Sequence, residues 1–106
     1  MNKLFGFLGL CKRSGKIIEG YSKCNEARNK KDIFLFLISK DVSESTKKKF
    51  IKHCDNKNIP YIYDFSKEEL GDAIGRPEVM IIAILDKNMA EKIISIYKSE
   101  EKSMSK

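Results

Sequence analysis

Three aspartates, Asp41, Asp64 and Asp86, each follow an apolar run typical of a β-strand, which is where α/β enzymes keep their acidic groups. Aspartate is equally common as a helix cap or in a turn, so a structural role explains these positions as well. No nucleophile elbow, Walker loop or dinucleotide-binding glycine fingerprint accompanies them. We therefore predict that the protein is not an enzyme.

Cysteine and histidine are too few and too scattered to indicate a metal site. Cys11, Cys24 and Cys54 are odd in number, lack CxxC spacing and each occupy an apolar position of a predicted helix. We interpret them as buried, reduced thiols of a cytoplasmic protein. His53 is the only histidine and is expected on a solvent-exposed helix face. No cofactor and no metal are predicted.

Positive charge indicates a polyanionic partner. The 21 Lys and Arg residues exceed the 15 Asp and Glu residues and give a net charge of +6. They form three clusters: Lys12, Arg13 and Lys16; Arg28, Lys30 and Lys31; Lys47, Lys48, Lys49 and Lys52. The first cluster lies beside a glycine in a connecting segment, where phosphate contact is more common than on a helix flank. The third is interpreted as a solvated helix face.

No apolar run approaches the roughly 20 residues that a membrane span requires, and no membrane partner is expected. The start of the chain, MNKLFGFLGLCKRSGK, has a short apolar stretch that Gly6 and Gly9 interrupt. No small-residue cleavage site follows it, so we interpret it as a native helix and not as a signal peptide.

The spacing of apolar residues predicts helices and strands in alternation. Helices are predicted over residues 3–12, 20–30, 43–58, 66–75 and 86–98, and strands over 16–18, 33–38, 61–64 and 79–85. Asp41 and Ser43 are both possible caps of the third helix. The pattern predicts an α/β fold, a three-layer α/β/α sandwich with a central, mainly parallel or mixed sheet of about four strands. Right-handed crossovers predict parallel long strands, with the first short strand as the candidate for the reverse direction. Residues 1–98 form one domain and 99–106 a polar C-terminal tail.

Two segments carry a resemblance to a known family. They are KRSGKIIEGYSKCNEAR at residues 12–28 and LFLISKDVSESTKKKFIKHCDNKNIPYIYDFSKEELGDAIG at residues 35–75. Together the chain resembles the kink-turn RNA-binding ribosomal proteins of the L7Ae superfamily, and within it the small bacterial YlxQ-like branch. The resemblance implies an α/β/α sandwich that binds RNA at a sharply bent internal loop.

The family's Gly-x-Asn-Glu-x-x-Lys motif, at the start of the second helix, falls on a segment that matches it only at Gly20. Ser22, Lys23 and Glu26 stand where the family has Asn, Glu and Lys. Lys23 cannot accept protons from guanine as a carboxylate does, but it can donate to guanine O6 or N7 or to a phosphate. Glu26 would repel phosphate unless it meets a donor.

The resemblance also implies RNA contacts by Lys67, in the family's SK-x-x-L-G segment, and by the loop from Arg76 to Val79. Val79 is equally well explained as the first residue of a core strand. The complete set of predicted RNA-binding residues is Lys12, Arg13, Lys16, Gly20, Tyr21, Ser22, Lys23, Glu26, Lys67, Arg76 and Val79.

The predicted function is that of a small ribosomal or ribosome-associated RNA-binding protein in the cytoplasm. Its expected partner is structured RNA, foremost ribosomal RNA, with ribosome- or translation-associated proteins as further candidates. The alternative is a protein–protein interaction module of the same fold that has lost specific kink-turn recognition.

Overall fold

A computed structural model describes residues 2–104, and in that range five helices and four strands alternate in the predicted order. The elements are α1 (Asn2–Arg13), β1 (Ile17–Glu19), α2 (Tyr21–Ala27), β2 (Leu35–Ile38), α3 (Glu44–Lys57), β3 (Tyr61–Ile62), α4 (Lys67–Ala73), β4 (Ile81–Ile84) and α5 (Lys87–Met104). Residues 99–104 of the predicted tail continue α5, and residues 105–106 lie outside the described residues. The division between domain and tail stays a prediction.

The four strands form one mixed sheet in the order β1-β4-β2-β3. The predicted mixed sandwich is confirmed, but the expectation that the long strands run parallel is wrong. β2 pairs parallel with β3, whereas β4 is antiparallel to both β2 and β1, so β4 is the reversed strand. The reason is the path of the chain after α4, which returns alongside that helix to its start, so that β4 begins at the end of the sheet where β3 finishes. The N–H of Val79, just before β4, donates to the carbonyl of Lys67 at the start of α4 (3.0 Å).

This topology gives the sheet two distinct ends. At one end β1, β2 and β3 finish and β4 begins, and Gly20 lies there after β1; we call it the Gly20 end. At the other end β4 finishes and the other strands begin, and Lys16 lies there before β1; we call it the Lys16 end. A loop's position along the sequence therefore does not tell which end it occupies, since β4 runs in the opposite direction to its neighbours.

The two central strands are buried on both faces, as their continuous apolar sequences LFLI and IIAI predict. Leu35, Leu37, Ile82 and Ile84 pack against α1, α4 and α5 on one face. Phe36, Ile38, Ile81 and Ala83 pack against α2 and α3 on the other face. The central strands are therefore held from both sides, and the loops at their ends start from a rigid base.

Helix caps account for two of the three aspartates. Ser43, and not Asp41, caps α3, since its hydroxyl accepts the N–H of Thr46 (3.2 Å). Asp41 instead accepts the N–H of Lys67 at the start of α4 (2.8 Å). Asp86 accepts the N–H of Met89 in the first turn of α5 (2.8 Å). The carboxylate of Asp64, which follows β3, accepts a hydrogen bond from the hydroxyl of Tyr97 in α5 (2.9 Å). Because Asp86 lies at the Lys16 end, the three acids do not converge on one site.

The three cysteines are free and buried, and burial raises the pKa of the Cys24 and Cys54 thiols to about 12. The prediction that His53 is exposed is wrong, because only 6% of it is accessible. α3 buries a wider stripe than expected, and the imidazole rests edge-on against Phe36. Burial, with Arg28 nearby, lowers the pKa of His53. Within the described part of the chain, no three potential metal-ligating side chains cluster, and no helix is long and apolar enough to span a bilayer.

Candidate functional site

A groove of about 470 Å³ opens at the Gly20 end, between the start of α2 and the loop that leads into β4. It is lined by Glu19, Gly20, Tyr21, Ser22, Lys23, Arg76, Glu78, Val79 and Met80. Six of the residues predicted from the sequence to bind RNA line this groove. Segments more than fifty residues apart in sequence therefore meet at one surface.

Gly20 fixes the position where β1 ends and α2 begins. Its N–H donates to the carbonyl of Ile81 in β4 (2.8 Å), and its own carbonyl accepts the N–H of Cys24 (3.0 Å). Its φ of 96° lies in a region that side chains rarely adopt, so glycine is required here. The Cys24 thiol lies 3.5 Å from the carbonyl of Ile18. The start of α2 is thus anchored to two strands.

Glu19 links two of the predicted cations and is absent from the predicted set. Its side chain is only 9% exposed. One carboxylate oxygen accepts a hydrogen bond from Lys12 Nζ (2.8 Å) and the other from Arg76 Nε (2.6 Å). Burial alone would raise the pKa of Glu19, but the hydrogen bonds and positive charges of these two residues outweigh it and lower the pKa. Glu19 therefore ties α1, β1 and the loop before β4 together.

We predict that Glu19→Gln lowers the free energy of unfolding by about 1 kcal/mol at pH 7, since both cations are partly exposed and solvent screens their attraction. The folded-state pKa of Glu19 is depressed, so its contribution is complete above the ordinary carboxyl pKa near 4.5 and is lost as the pH falls through the folded-state value. Denaturant unfolding at several pH values measures the difference between wild type and variant. The difference should shrink as the pH falls below 4.5. Glu91→Gln, on exposed α5 surface, is the control; a pH-independent difference for Glu19 would contradict the prediction.

The loop from Arg76 to Met80 is held against the start of α4. Glu78 pairs with Lys67 (3.7 Å), and the N–H of Val79 donates to the Lys67 carbonyl (3.0 Å). α4 leaves no space here, since a Cβ on Gly71 would lie 2.5 Å from the Cα of Glu78. Val79 lines the groove but is 7% exposed and packs into the core, so of the two interpretations left open by the sequence the core role describes its side chain better.

Tyr21 presents an aromatic ring at the mouth of the groove. It is 37% exposed, and the edge contact of its ring with Phe50 (5.9 Å between centroids) holds it in place. The ammonium of Lys49 donates to the Tyr21 hydroxyl (2.8 Å) and lies 5.3 Å from the ring centroid, so it sits beyond the hydroxyl and not over the centre of the ring. Lys49, interpreted from the sequence as part of a solvated helix face, therefore helps to position this ring.

Not all the predicted residues meet at the groove. Glu26 is exposed one turn further along α2 and does not line it. Lys16 precedes β1, and its carbonyl accepts the N–H of Leu85 (2.9 Å) at the Lys16 end. Arg13 ends α1, three residues before Lys16. The first basic cluster is thus divided: Lys12 reaches Glu19, whereas Arg13 and Lys16 lie at the opposite end of β1.

The sequence is similar to known proteins over most of its length. Residues 2–94 match the ribosomal protein L7Ae/L30e/S12e/Gadd45 family. The RNA-binding protein YlxQ of Bacillus subtilis (strain 168) is 33% identical over 93 residues, which span 87% of this chain and 92% of that protein. The RNA-binding protein YlxQ of Enterococcus faecium is 33% identical over 91 residues, which span 85% of this chain and 86% of that protein.

Solved structures show the same fold. A protein with unknown function from Bacillus halodurans C superimposes with a TM-score of 0.82 at 28% identity, covering 88% of this chain and 94% of that one. The Giardia lamblia 15.5kD RNA binding protein superimposes with a TM-score of 0.73 at 18% identity, covering 91% of this chain and 85% of that one. At that identity the second similarity concerns the fold alone.

Proposed function

Since the chain belongs to the ribosomal protein L7Ae/L30e/S12e/Gadd45 family, we propose that it is a small RNA-binding protein that recognises a bent, kink-turn-like RNA through the groove at the start of its second helix. The YlxQ relatives are named as RNA-binding proteins, which supports an RNA partner. The proposed partner is ribosomal RNA, bound in the cytoplasm either within or beside the ribosome. The protein would select one bent RNA geometry among several.

The observation that carries this proposal is the composition of the groove. Tyr21, with an exposed aromatic ring, and Lys23, Arg76 and Met80 line one concave surface. A sharply bent RNA presents unstacked bases, which bind aromatic side chains through their faces and polar side chains through their edges. The ammonium of Lys23 suits a guanine O6 or N7 or a phosphate oxygen. The groove thus provides both kinds of contact in one place.

The charges of the groove favour recognition by shape over simple attraction. Glu19 offsets one of the two positive charges of Lys12 and Arg76, and Glu78 pairs with Lys67. Among the residues that the structure describes, Lys23 makes no ion pair. A straight duplex, which offers phosphates but few splayed bases, should therefore gain little from this groove.

Gel-shift titration against a kink-turn RNA and a straight RNA duplex of equal length tests the proposal. We expect tighter binding of the bent RNA at moderate salt, where counterion release contributes less. Equal binding of the two RNAs would overturn recognition of the bend. Failure of both to bind at low salt would overturn the RNA partner itself and favour the protein-interaction module.

We predict that Lys23→Ala weakens binding of the bent RNA by about 1–3 kcal/mol, the range for one base-edge contact. Lys48→Ala removes the same charge from an exposed position of α3 and is the matched control. It should cost much less, because Lys48 does not line the groove. Fluorescence titration of the two variants measures both values. Equal losses would mean that Lys23 contributes only non-specific charge.

A further inference from the structure

The Lys16 end of the molecule carries most of the protein's net positive charge. Its surface consists of four segments, residues 13–16, 28–34, 57–60 and 85–91, which we call the Lys16-end surface. Seven basic and three acidic residues in these segments give a net charge of +4, out of +6 for the whole chain. The basic residues are Arg13, Lys16, Arg28, Lys30, Lys31, Lys57 and Lys87.

Backbone hydrogen bonds place the four segments side by side. The N–H of Leu85 donates to the carbonyl of Lys16 (2.9 Å), the N–H of Phe34 to that of Ile84 (2.9 Å), and the N–H of Phe36 to that of Pro60 (3.2 Å). These bonds follow the strand order of the sheet. With strands about 4.8 Å apart, the segments form a row about 15 Å wide. Segments that carry basic residues far apart in sequence therefore lie together at one end of the sheet.

Within residues 2–104, the cations of this surface form no ion pairs, whereas four cations of the Gly20 end do. All four ion pairs in the described part of the chain lie at the Gly20 end, where they join Lys12 and Arg76 to Glu19, Lys67 to Glu78 and Lys40 to Asp64. None of the seven basic residues of the Lys16-end surface, all of which the structure describes, forms an ion pair. Unpaired like charges on one face repel each other, and a bound polyanion would remove that repulsion.

Helix ends explain only part of this arrangement. Arg13, Arg28 and Lys57 lie at the C-terminal ends of α1, α2 and α3, where the helix dipole favours a cation. Lys30 and Lys31 lie beyond α2 in a loop. Lys87 begins α5, where the dipole disfavours a cation, so helix electrostatics do not account for the cluster as a whole.

The surface is also concave. Two adjoining depressions of about 340 and 400 Å³ share Ile33, Phe34, Lys57 and Ile59. Arg28, Lys30 and Lys31 line one depression together with Asp32, and Lys87 lines the other together with Glu91. Five cations and two carboxylates line this concave surface, so it keeps a net positive charge and suits a phosphate-bearing strand, which cationic groups contact without regard to base sequence.

We propose that the Lys16-end surface binds the phosphate backbone of a second RNA segment, so that the protein bridges two segments of structured RNA. The inference rests on the proposed function, which supplies the first segment at the Gly20-end groove. The two surfaces lie at opposite ends of a sheet within a domain that measures 35 × 29 × 28 Å. One compact bent loop held at the groove cannot also cover the opposite end, so the second contact requires a separate stretch of backbone.

A bridging assay tests the inference. A kink-turn RNA is immobilised, the full-length protein is added, and capture of a labelled straight RNA duplex is measured. The test variant combines Lys16→Gln, Lys30→Gln, Lys31→Gln and Lys57→Gln, all at exposed positions. We expect it to bind the immobilised RNA but to capture at least tenfold less duplex. In direct titration of the duplex, the variant's plot of log K against log salt should be shallower by about 3.6, since each of four lost phosphate contacts removes about 0.9.

A variant with the same change in net charge at other exposed positions is the control. It combines Lys48→Gln, Lys52→Gln, Lys92→Gln and Lys98→Gln. Equal loss of duplex binding by the two variants would overturn the proposal that the Lys16-end surface binds the duplex. A straight DNA duplex captured as strongly as the RNA would overturn RNA as its specific partner.

The proposed function and the second surface fail in different ways. If the wild-type protein does not bind the immobilised kink-turn RNA, the proposed function is overturned, and direct titration of the duplex still tests the second surface. Two outcomes would overturn only the proposal for the Lys16-end surface. In one, the wild type binds the kink-turn RNA but captures no duplex; in the other, the test variant captures as much duplex as the wild type.

Discussion

Gly71→Ala is expected to lower the free energy of unfolding by about 1–3 kcal/mol, the usual cost of forcing extra atoms into a packed site. The new Cβ would lie 2.5 Å from the Cα of Glu78 and 2.7 Å from its backbone nitrogen. Both are backbone atoms, so no side-chain rotation relieves the overlap. Either α4 or the loop from Arg76 to Met80 must move.

The same substitution should also impair recognition of the bent RNA, because that loop forms one wall of the groove. Its displacement would disturb the pairing of Arg76 with Glu19 and of Glu78 with Lys67. We expect the preference for the kink-turn RNA over the straight duplex to fall, while binding of the straight duplex changes little. Denaturant unfolding gives the loss of stability, and titration of both RNAs gives the loss of preference.

Gly6→Ala is the matched control, since Gly6 lies on an exposed part of α1 and a Cβ there would meet nothing within 4 Å. Relief of the backbone entropy cost of glycine should stabilise the protein by about 0.5–1 kcal/mol and leave RNA binding unchanged. If Gly71→Ala were as stable as the wild type and kept its preference for the bent RNA, the close approach of Glu78 would not matter to the groove.

The order of helices and strands could be predicted because it depends on local periodicity. The continuous apolar run ending at Ile38 and the Ser66–Glu69 capping box each carry their signal within a few residues, and the structure confirms both. The direction of β4 could not be predicted in this way. It depends on how far α4 and its flanking loops carry the chain, and the right-handed rule applies only to strands that are parallel. The burial of His53 likewise depends on how α3 lies on the sheet.

The groove was predictable only in part, for a related reason. Gly20 and Lys23 are close in sequence, and the family resemblance indicated them. Glu19 contacts Arg76 across 57 residues, and Lys49 contacts Tyr21 across 28, so only the folded chain brings these pairs together. Sequence proximity also misleads, because β1 extends between Lys16 and Gly20 and places them at opposite ends of the sheet.

Tyr21→Ala is expected to weaken binding of the bent RNA by about 1–3 kcal/mol, or roughly 5- to 150-fold in Kd, the range for one base stacked on an aromatic side chain. The ring stands at the mouth of the groove, and Lys49 and Phe50 already hold it in one orientation. A base that stacks there does not have to order a mobile side chain, so little of the stacking energy is lost to conformational entropy.

Tyr21→Phe separates stacking from hydrogen bonding. It keeps the ring and its edge contact with Phe50 but removes the hydroxyl that Lys49 contacts. We expect it to retain most of the affinity for the bent RNA, and neither variant should alter binding of the straight duplex at the Lys16-end surface. Quenching of tyrosine fluorescence on RNA binding, present in the wild type and reduced in both variants, would report the stacked base directly. If Tyr21→Ala and Tyr21→Phe weakened binding equally, the hydroxyl and not the ring face would be the RNA contact, and stacking on Tyr21 would be excluded.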